Sequence, residues 1–220
     1  MKFFLDTADL AEIKEAASWG VVAGVTTNPT LYSRIGGKLA DFPAHIKAIC
    51  DVVDGPVSAE AVGETRDEIV AEGIELAAIA PNVVVKIPTT VEGLAATKQL
   101  SERGIKVNMT LCFSVPQALL AARAGAAYIS PFVGRFDDIS EDGIAQLVDV
   151  IDALNNYDFG HQVEVIAASI RSANHVTKSA LNGADIATVP FNVLKGLVKH
   201  PLTDRGLESF AADWAKVVGA

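Results

Sequence analysis

Cysteine is scarce in this chain: Cys50 and Cys112 are the only two among 220 residues, and no CxxC spacing joins them. That excludes a disulfide framework and predicts two free thiols, as suits a reducing, cytoplasmic compartment. Positive charge is also short. Lys and Arg total 18 against 27 Asp and Glu, a formal charge of −9. This is the wrong balance for a nucleic-acid backbone or an anionic membrane surface. Long apolar runs are missing: Asp6 interrupts Phe3-Phe4-Leu5 well short of a signal-peptide core, and no stretch approaches the ~20 apolar residues that span a bilayer. His45, His161, His175 and His200 are scattered and form no H-E-x-x-H or Cys/His cluster, so metal chemistry has little support. There is no G-x-S-x-G elbow, and no G-x-G-x-x-G follows the first strand, which argues against a doubly wound nucleotide-binding sheet. Ile35-Gly36-Gly37-Lys38 lacks P-loop spacing and reads as a solvated turn.

What is present is alternation. Half of the chain is apolar, enough to offset the entropy of ordering a core. Short β-branched runs at Phe3–Asp6, Val21–Thr27, Pro56–Ala61, Val83–Pro88, Lys106–Leu111, Tyr128–Val133, Val163–Ser169 and Ile186–Pro190 are separated by segments of helical period. Such alternation predicts parallel strands joined by crossover helices, and eight units predict a (β/α)8 barrel with short loops. Gly104, Gly125 and Gly183 each stand just before a strand, where a left-handed residue ends the preceding helix. Thr65 and Glu68 have capping-box spacing, and Ser114 and Ser140 are candidate N-caps. No linker, charge run or low-complexity tract divides the chain, so residues 1–220 read as one domain. Thr203–Val218 has an apolar face of Leu207, Phe210, Ala211, Trp214 and Val218. It is surplus to barrel closure and is expected at a subunit interface, the plain alternative being that it folds back over its own barrel.

Lys86 is the most informative residue. In Val83-Val84-Val85-Lys86-Ile87-Pro88 the period of two puts Val84 and Lys86 on one face and Val83, Val85 and Ile87 on the other. If that face is the barrel interior, burial penalises the ammonium, and a desolvated amine can attack a ketone to form a Schiff base. The plain alternative is a strand-end lysine that snorkels to water. Other polar residues cluster at the C-terminal ends of the expected strands, where barrel enzymes carry their chemistry. They are Asp6, Asn28, Glu60, Asn108, Thr110, Ser130, Arg135, Ser169 and Arg171, with Phe132 beside them. Each has an ordinary reading as well. Asp6 could cap a helix near Thr7, Asn28-Pro29 is an N-cap followed by an N1 proline, Ser169 could be a cap, and the arginines could be surface charges.

Three segments, Phe4-Leu5-Asp6-Thr7-Ala8-Asp9, Gly24-Val25-Thr26-Thr27-Asn28-Pro29 and Val85-Lys86-Ile87-Pro88 with Glu92-Gly93-Leu94, resemble the transaldolase family. The likeness is to its small, short-chain branch, which includes fructose-6-phosphate aldolases. The resemblance implies a (β/α)8 barrel, a class I aldolase mechanism without metal or cofactor, and sugar phosphate substrates of the pentose phosphate pathway. By the same resemblance Lys86 matches the Schiff-base lysine and Asp6 the acid/base at the donor C4 hydroxyl. Glu60 and Thr110 match the pair that holds a catalytic water, and Asn28 and Asn108 the residues on the dihydroxyacetone hydroxyls. Ser130 and Phe132 match pocket-lining positions, and Arg135, Ser169 and Arg171 the phosphate site. Fructose-6-phosphate aldolases usually carry glutamine in place of Glu60 and tyrosine in place of Phe132, so both positions here favour transfer over cleavage. The alternatives are such an aldolase, or a non-catalytic barrel that binds sugar phosphates. The resemblance also implies a ring-like homo-oligomer, a decamer.

Overall fold

The computed structural model describes residues 1–157, 159 and 162–219. His161 lies outside the described residues. The strands are β1 (Lys2–Asp6), β2 (Val22–Thr26), β3 (Val57–Glu60), β4 (Val83–Pro88), β5 (Val107–Cys112), β6 (Tyr128–Pro131), β7 (Glu164–Ala167) and β8 (Ile186–Val189). Each is parallel to its sequence neighbour, and β8 returns to β1, so the sheet closes into a barrel. Every strand falls within two residues of the run expected from β-branching.

The helices are α1 (Leu10–Ser18), α2 (Pro29–Arg34), α3 (Phe42–Cys50), α4 (Arg66–Ala77), α5 (Val91–Ser101), α6 (Val115–Arg123), α7 (Val133–Asp137), α8 (Gly143–Asn156), α9 (Ala173–Leu181), α10 (Phe191–Gly196) and α11 (Pro201–Val218). Thr65 and Glu68 form the expected capping box on α4, and Ser114 caps α6 ahead of Pro116. Gly104, Gly125 and Gly183 all have positive φ, as their place between helix and strand requires. Two caps differ from expectation. Asp9, not Asp6, caps α1, and Asp142, not Ser140, caps α8 by accepting from Ile144 N–H and Ala145 N–H. Position 143 sets the second case: a Cβ there would lie 2.1 Å from the Val133 carbonyl. The helix therefore starts at this glycine, pressed on α7, and Ser140 is left in the preceding turn at φ 63.

The period of two sorts β4 as anticipated. Val83, Val85 and Ile87 lie in the large core between strands and helices, and Val84 turns inward. Phe4, Val84, Tyr128, Ile166 and Ile186 pack together as the floor of the barrel. Gly24 makes room for this plug, since a Cβ at that position would sit 2.6 Å from the Phe4 ring. Two residues further along the chain from each come Asp6, Lys86, Ser130, Ala168 (just past β7) and Thr188, and all five line the cavity above. One alternation thus seals the bottom of the barrel with carbon and equips its top with polar groups.

The last helix, α11, stands apart from this core. It begins two residues earlier than expected because Pro201 occupies its first turn, and His200 caps it. None of its residues is buried: Leu207, Phe210, Trp214 and Val217 are 63–73% exposed. No described helix is long and apolar enough to cross a membrane.

Candidate active site

At the C-terminal ends of the strands lies a cavity of about 680 Å³, within the size range of small-molecule sites. Ten of the eleven residues singled out from the sequence line it; Asn108 is fully buried just beneath.

Lys86 is 5% exposed, and it points inward. Its Nζ lies 2.9 Å from Glu60 Oε2 and donates to the Thr27 carbonyl at 3.1 Å. Glu60, Lys86 and Asn108 are register partners across β3, β4 and β5, so the barrel lays them side by side. The lysine is therefore not a lone amine, as the strand pattern alone suggests, but half of a buried ion pair. Such a pair persists only where further hydrogen bonds satisfy it, and the Thr27 carbonyl supplies one.

Asp6 sits across the cavity at the end of β1. Burial pushes its carboxyl above the ordinary range, and the Lys86 ammonium and the Thr26 hydroxyl offset part of that rise. Thr26 Oγ1 donates to Asp6 Oδ1 at 2.8 Å and lies 2.6 Å from Thr188 Oγ1. Since the Thr26 proton goes to Asp6, Thr188 is the donor in the second contact. A carboxyl held above its usual range at neutral pH is suited to exchanging protons with a hydroxyl.

Asn108 is gripped at both ends of its amide: Nδ2 donates to Ser58 Oγ at 3.1 Å, and Oδ1 accepts from Ser130 Oγ at 2.7 Å. Thr110 Oγ1 is buried with no hydrogen-bond partner among the described residues. Buried hydroxyls are normally paired, so this one, in a residue that lines the cavity, has its hydrogen-bonding capacity unused. Asn28 realises its ordinary reading as a cap, with Oδ1 accepting from Leu31 N–H at 2.9 Å. That fixes the amide and leaves its Nδ2 donors free of the cap. Phe132 lies just past β6, as the N-cap residue of α7, and its ring meets Phe113 at 5.6 Å.

Arg135 stands in α7, and Arg171 in the loop between β7 and α9. Ser169, at φ 58, has the left-handed backbone that a serine rarely adopts. Arg171 is not free: Nη2 donates to Asp138 Oδ2 at 2.6 Å, and Nη1 donates to Oδ1.

Sequence reasoning missed Thr26, Thr188, Ser58 and Asp138. The first two had a signal, because each lies at a strand end facing the interior beside Asp6. Ser58 shares the face of Glu60 by the same period. Asp138 had none, because its partner is 33 residues away. The Gly36-Gly37 segment is a turn, as read, with Tyr32 Oη donating to the Lys38 carbonyl. Cys112 is buried, and burial pushes its thiol up to about 11, while Cys50 is half-buried. Both thiols are free, and Cys112 stays protonated.

A family model described as Transaldolase/Fructose-6-phosphate aldolase matches residues 3–220. The chain is 58% identical to a protein of Thermus thermophilus named "Probable transaldolase", over 99% of both chains. It is 57% identical to one of the same name from Moorella thermoacetica, over 99% of both. A third so named, from Bacillus cereus, is 56% identical over 98% of both. Among solved structures, a thiamine phosphate pyrophosphorylase from Pyrococcus furiosus superposes with a TM-score of 0.60, over 86% of this chain and 85% of its own. At 14% identity that likeness concerns the barrel alone. With a family match that spans nearly its whole length, on a barrel whose inward lysine stands beside an acid and a polar rim, this chain belongs to the transaldolase/fructose-6-phosphate aldolase family.

Proposed function

We propose that the protein is a transaldolase, which moves a three-carbon dihydroxyacetone unit from a ketose phosphate to an aldose phosphate through a Schiff base on Lys86. The donors are fructose 6-phosphate or sedoheptulose 7-phosphate, and the acceptors glyceraldehyde 3-phosphate or erythrose 4-phosphate. The observation that carries this reading is a buried amine at the floor of a polar cavity, in contact with Glu60 and opposite Asp6.

Glu60 Oε2, 2.9 Å from Nζ, is within reach of the ammonium proton, which must leave before attack. The free amine adds to the donor C2 carbonyl, and loss of water gives the Schiff base. Glu60 and the unpartnered Thr110 hydroxyl hold the water that carries protons in this step and in the final hydrolysis. Asp6 then takes the proton of the C4 hydroxyl. The C3–C4 bond breaks, its electron pair enters the iminium, and the aldose phosphate leaves. The three-carbon enamine stays on Lys86, with Asn28, Asn108 and Ser130 at its hydroxyls, and attacks the aldehyde carbon of the acceptor. Arg135, Arg171 and Ser169 bind the phosphate of donor and acceptor; guanidinium forks suit its geometry. Phe132 offers no hydroxyl to guide water to the enamine, which favours transfer over release.

We further propose that the chain works in the cytoplasm as a ring-like homo-oligomer, a decamer, with residues 1–220 forming one domain. The apolar face of α11 finds no cover on its own barrel. An apolar groove of about 560 Å³ between α2, α3 and α4, with Leu39, Phe42 and Val62 among its lining, lies elsewhere on the surface. A protrusion and a groove at different places on one subunit suit head-to-tail contacts, which form a ring where the rotation between subunits closes.

Steady-state turnover of fructose 6-phosphate with and without erythrose 4-phosphate tests the function. A transaldolase forms glyceraldehyde 3-phosphate only when the acceptor is present. An aldolase forms it in both conditions and releases dihydroxyacetone, and a binding protein forms none.

A further inference from the structure

The ion pair at the rim, between Arg171 and Asp138, has no part in the bond-making steps. Both side chains are about half exposed, 48% and 43%, and an ion pair at that exposure contributes little to stability. Its geometry is nevertheless specific. The Asp138 carboxylate accepts from both terminal nitrogens of the guanidinium, Nη2 at 2.6 Å. Two parallel bonds fix the plane of the fork as well as its position.

The neighbouring acid holds the same arginine by its main chain. Asp137 Oδ2 lies 2.9 Å from His175 Nε2, and His175 Nδ1 accepts from the Arg171 N–H at 3.4 Å. This is the pattern of an imidazole with its proton on Nε2. Gly134, one helical turn before Asp138, completes the cradle: a Cβ there would lie 2.7 Å from Arg171 Nε. The arginine therefore lies across the start of α7, the helix that also carries Arg135. Arg135 and Arg171 both line the cavity, and the Asp138 carboxylate beside Arg171 offsets part of the positive charge they bring to it. Asp138 takes two of the five guanidinium N–H groups, so three remain for a ligand.

We propose that Asp138 is a positioning residue for phosphate recognition: it holds the Arg171 guanidinium in the orientation that the phosphate of the sugar substrate meets. The inference rests on the assignment of Arg171 to the phosphate under the proposed function. On this account Asp138 touches no reacting atom, and it acts through Arg171 alone.

Asp138→Asn keeps the size of the side chain and removes the charge that accepts two bonds. It is expected to raise KM for fructose 6-phosphate about fivefold. The dissociation constant for inorganic phosphate, read by calorimetry, should rise by a similar factor, while KM for unphosphorylated fructose stays unchanged. Asp138→Glu should recover part of the loss. In a chain that already carries Arg171→Ala, adding Asp138→Asn should change nothing further. A lower KM for fructose 6-phosphate in Asp138→Asn would mean that the carboxylate competes with phosphate, and would overturn the proposal. So would unchanged constants, or equal losses on both sugars. Wild-type protein that fails to turn over fructose 6-phosphate overturns the reaction instead, and the phosphate affinities of wild type and variant then still test the positioning role.

Discussion

Lys86 and Glu60 are register partners on adjacent strands, and their charged ends meet at 2.9 Å inside the barrel. The pair joins the proposed nucleophile to an acceptor for its proton without a flexible loop, because two rigid strands carry both side chains. Sites built on strands hold their geometry more closely than sites built on loops.

The raised carboxyl of Asp6 has consequences for both activity and stability. Asp6 must be ionised to accept the C4 proton, so kcat should fall on the acid side in a step above the ordinary aspartate range. The stability sign is opposite. The folded carboxyl ionises at higher pH than the unfolded one, so its favourable contribution is complete below the unfolded value and is lost as pH rises through the folded one. Asp6→Asn should abolish turnover and remove that pH dependence, leaving the protein at neutral pH at least as stable as wild type. Thermal melts and pH–rate profiles, taken from acid to neutral pH, read both effects. An acid limb at or below the usual carboxylate range would contradict the role given to Asp6.

Transfer and cleavage should be separable at Phe132 and Glu60. Phe132→Tyr adds a hydroxyl at the cavity wall that could place water or donate a proton to the enamine. The ratio of dihydroxyacetone released to glyceraldehyde 3-phosphate formed, with erythrose 4-phosphate present, is expected to rise about tenfold, the effect of one hydrogen bond of ~1.4 kcal/mol in the competing transition state. Adding Glu60→Gln should shift it further. Parallel loss of both activities would assign the two residues to general catalysis.

The exposed face of α11 predicts its own test. Truncation after His200 leaves the barrel strands and their helices intact and removes Leu207, Phe210 and Trp214. The truncated protein should keep its barrel by circular dichroism and form a smaller particle in light scattering. An oligomer of unchanged size would place the interface elsewhere.

The fold is readable because its signals are local. β-branched runs, capping residues and left-handed glycines each act over a few residues, and the period of two puts Lys86 on the face of Val84 without knowledge of any contact, a face that the closed sheet turns inward. Polar residues at strand ends are legible for the same reason. What escapes is partnership. Glu60, expected to hold a water, touches the lysine directly. Arg171, read as a surface charge or part of a phosphate site, is held by Asp138. Thr26 and Thr188 meet only because β1 lies between β2 and β8 in the closed sheet. Pairings across 33 or 162 residues follow from barrel closure, which no local spacing encodes.

The central claim is that catalysis passes through a covalent bond to Lys86. Incubation with fructose 6-phosphate followed by borohydride should add one reduced dihydroxyacetone unit, and peptide mapping should locate it on Lys86. Lys86→Met should fold, bind phosphate and take up no adduct. An adduct mapped to another lysine, or active enzyme that traps none, would contradict the account.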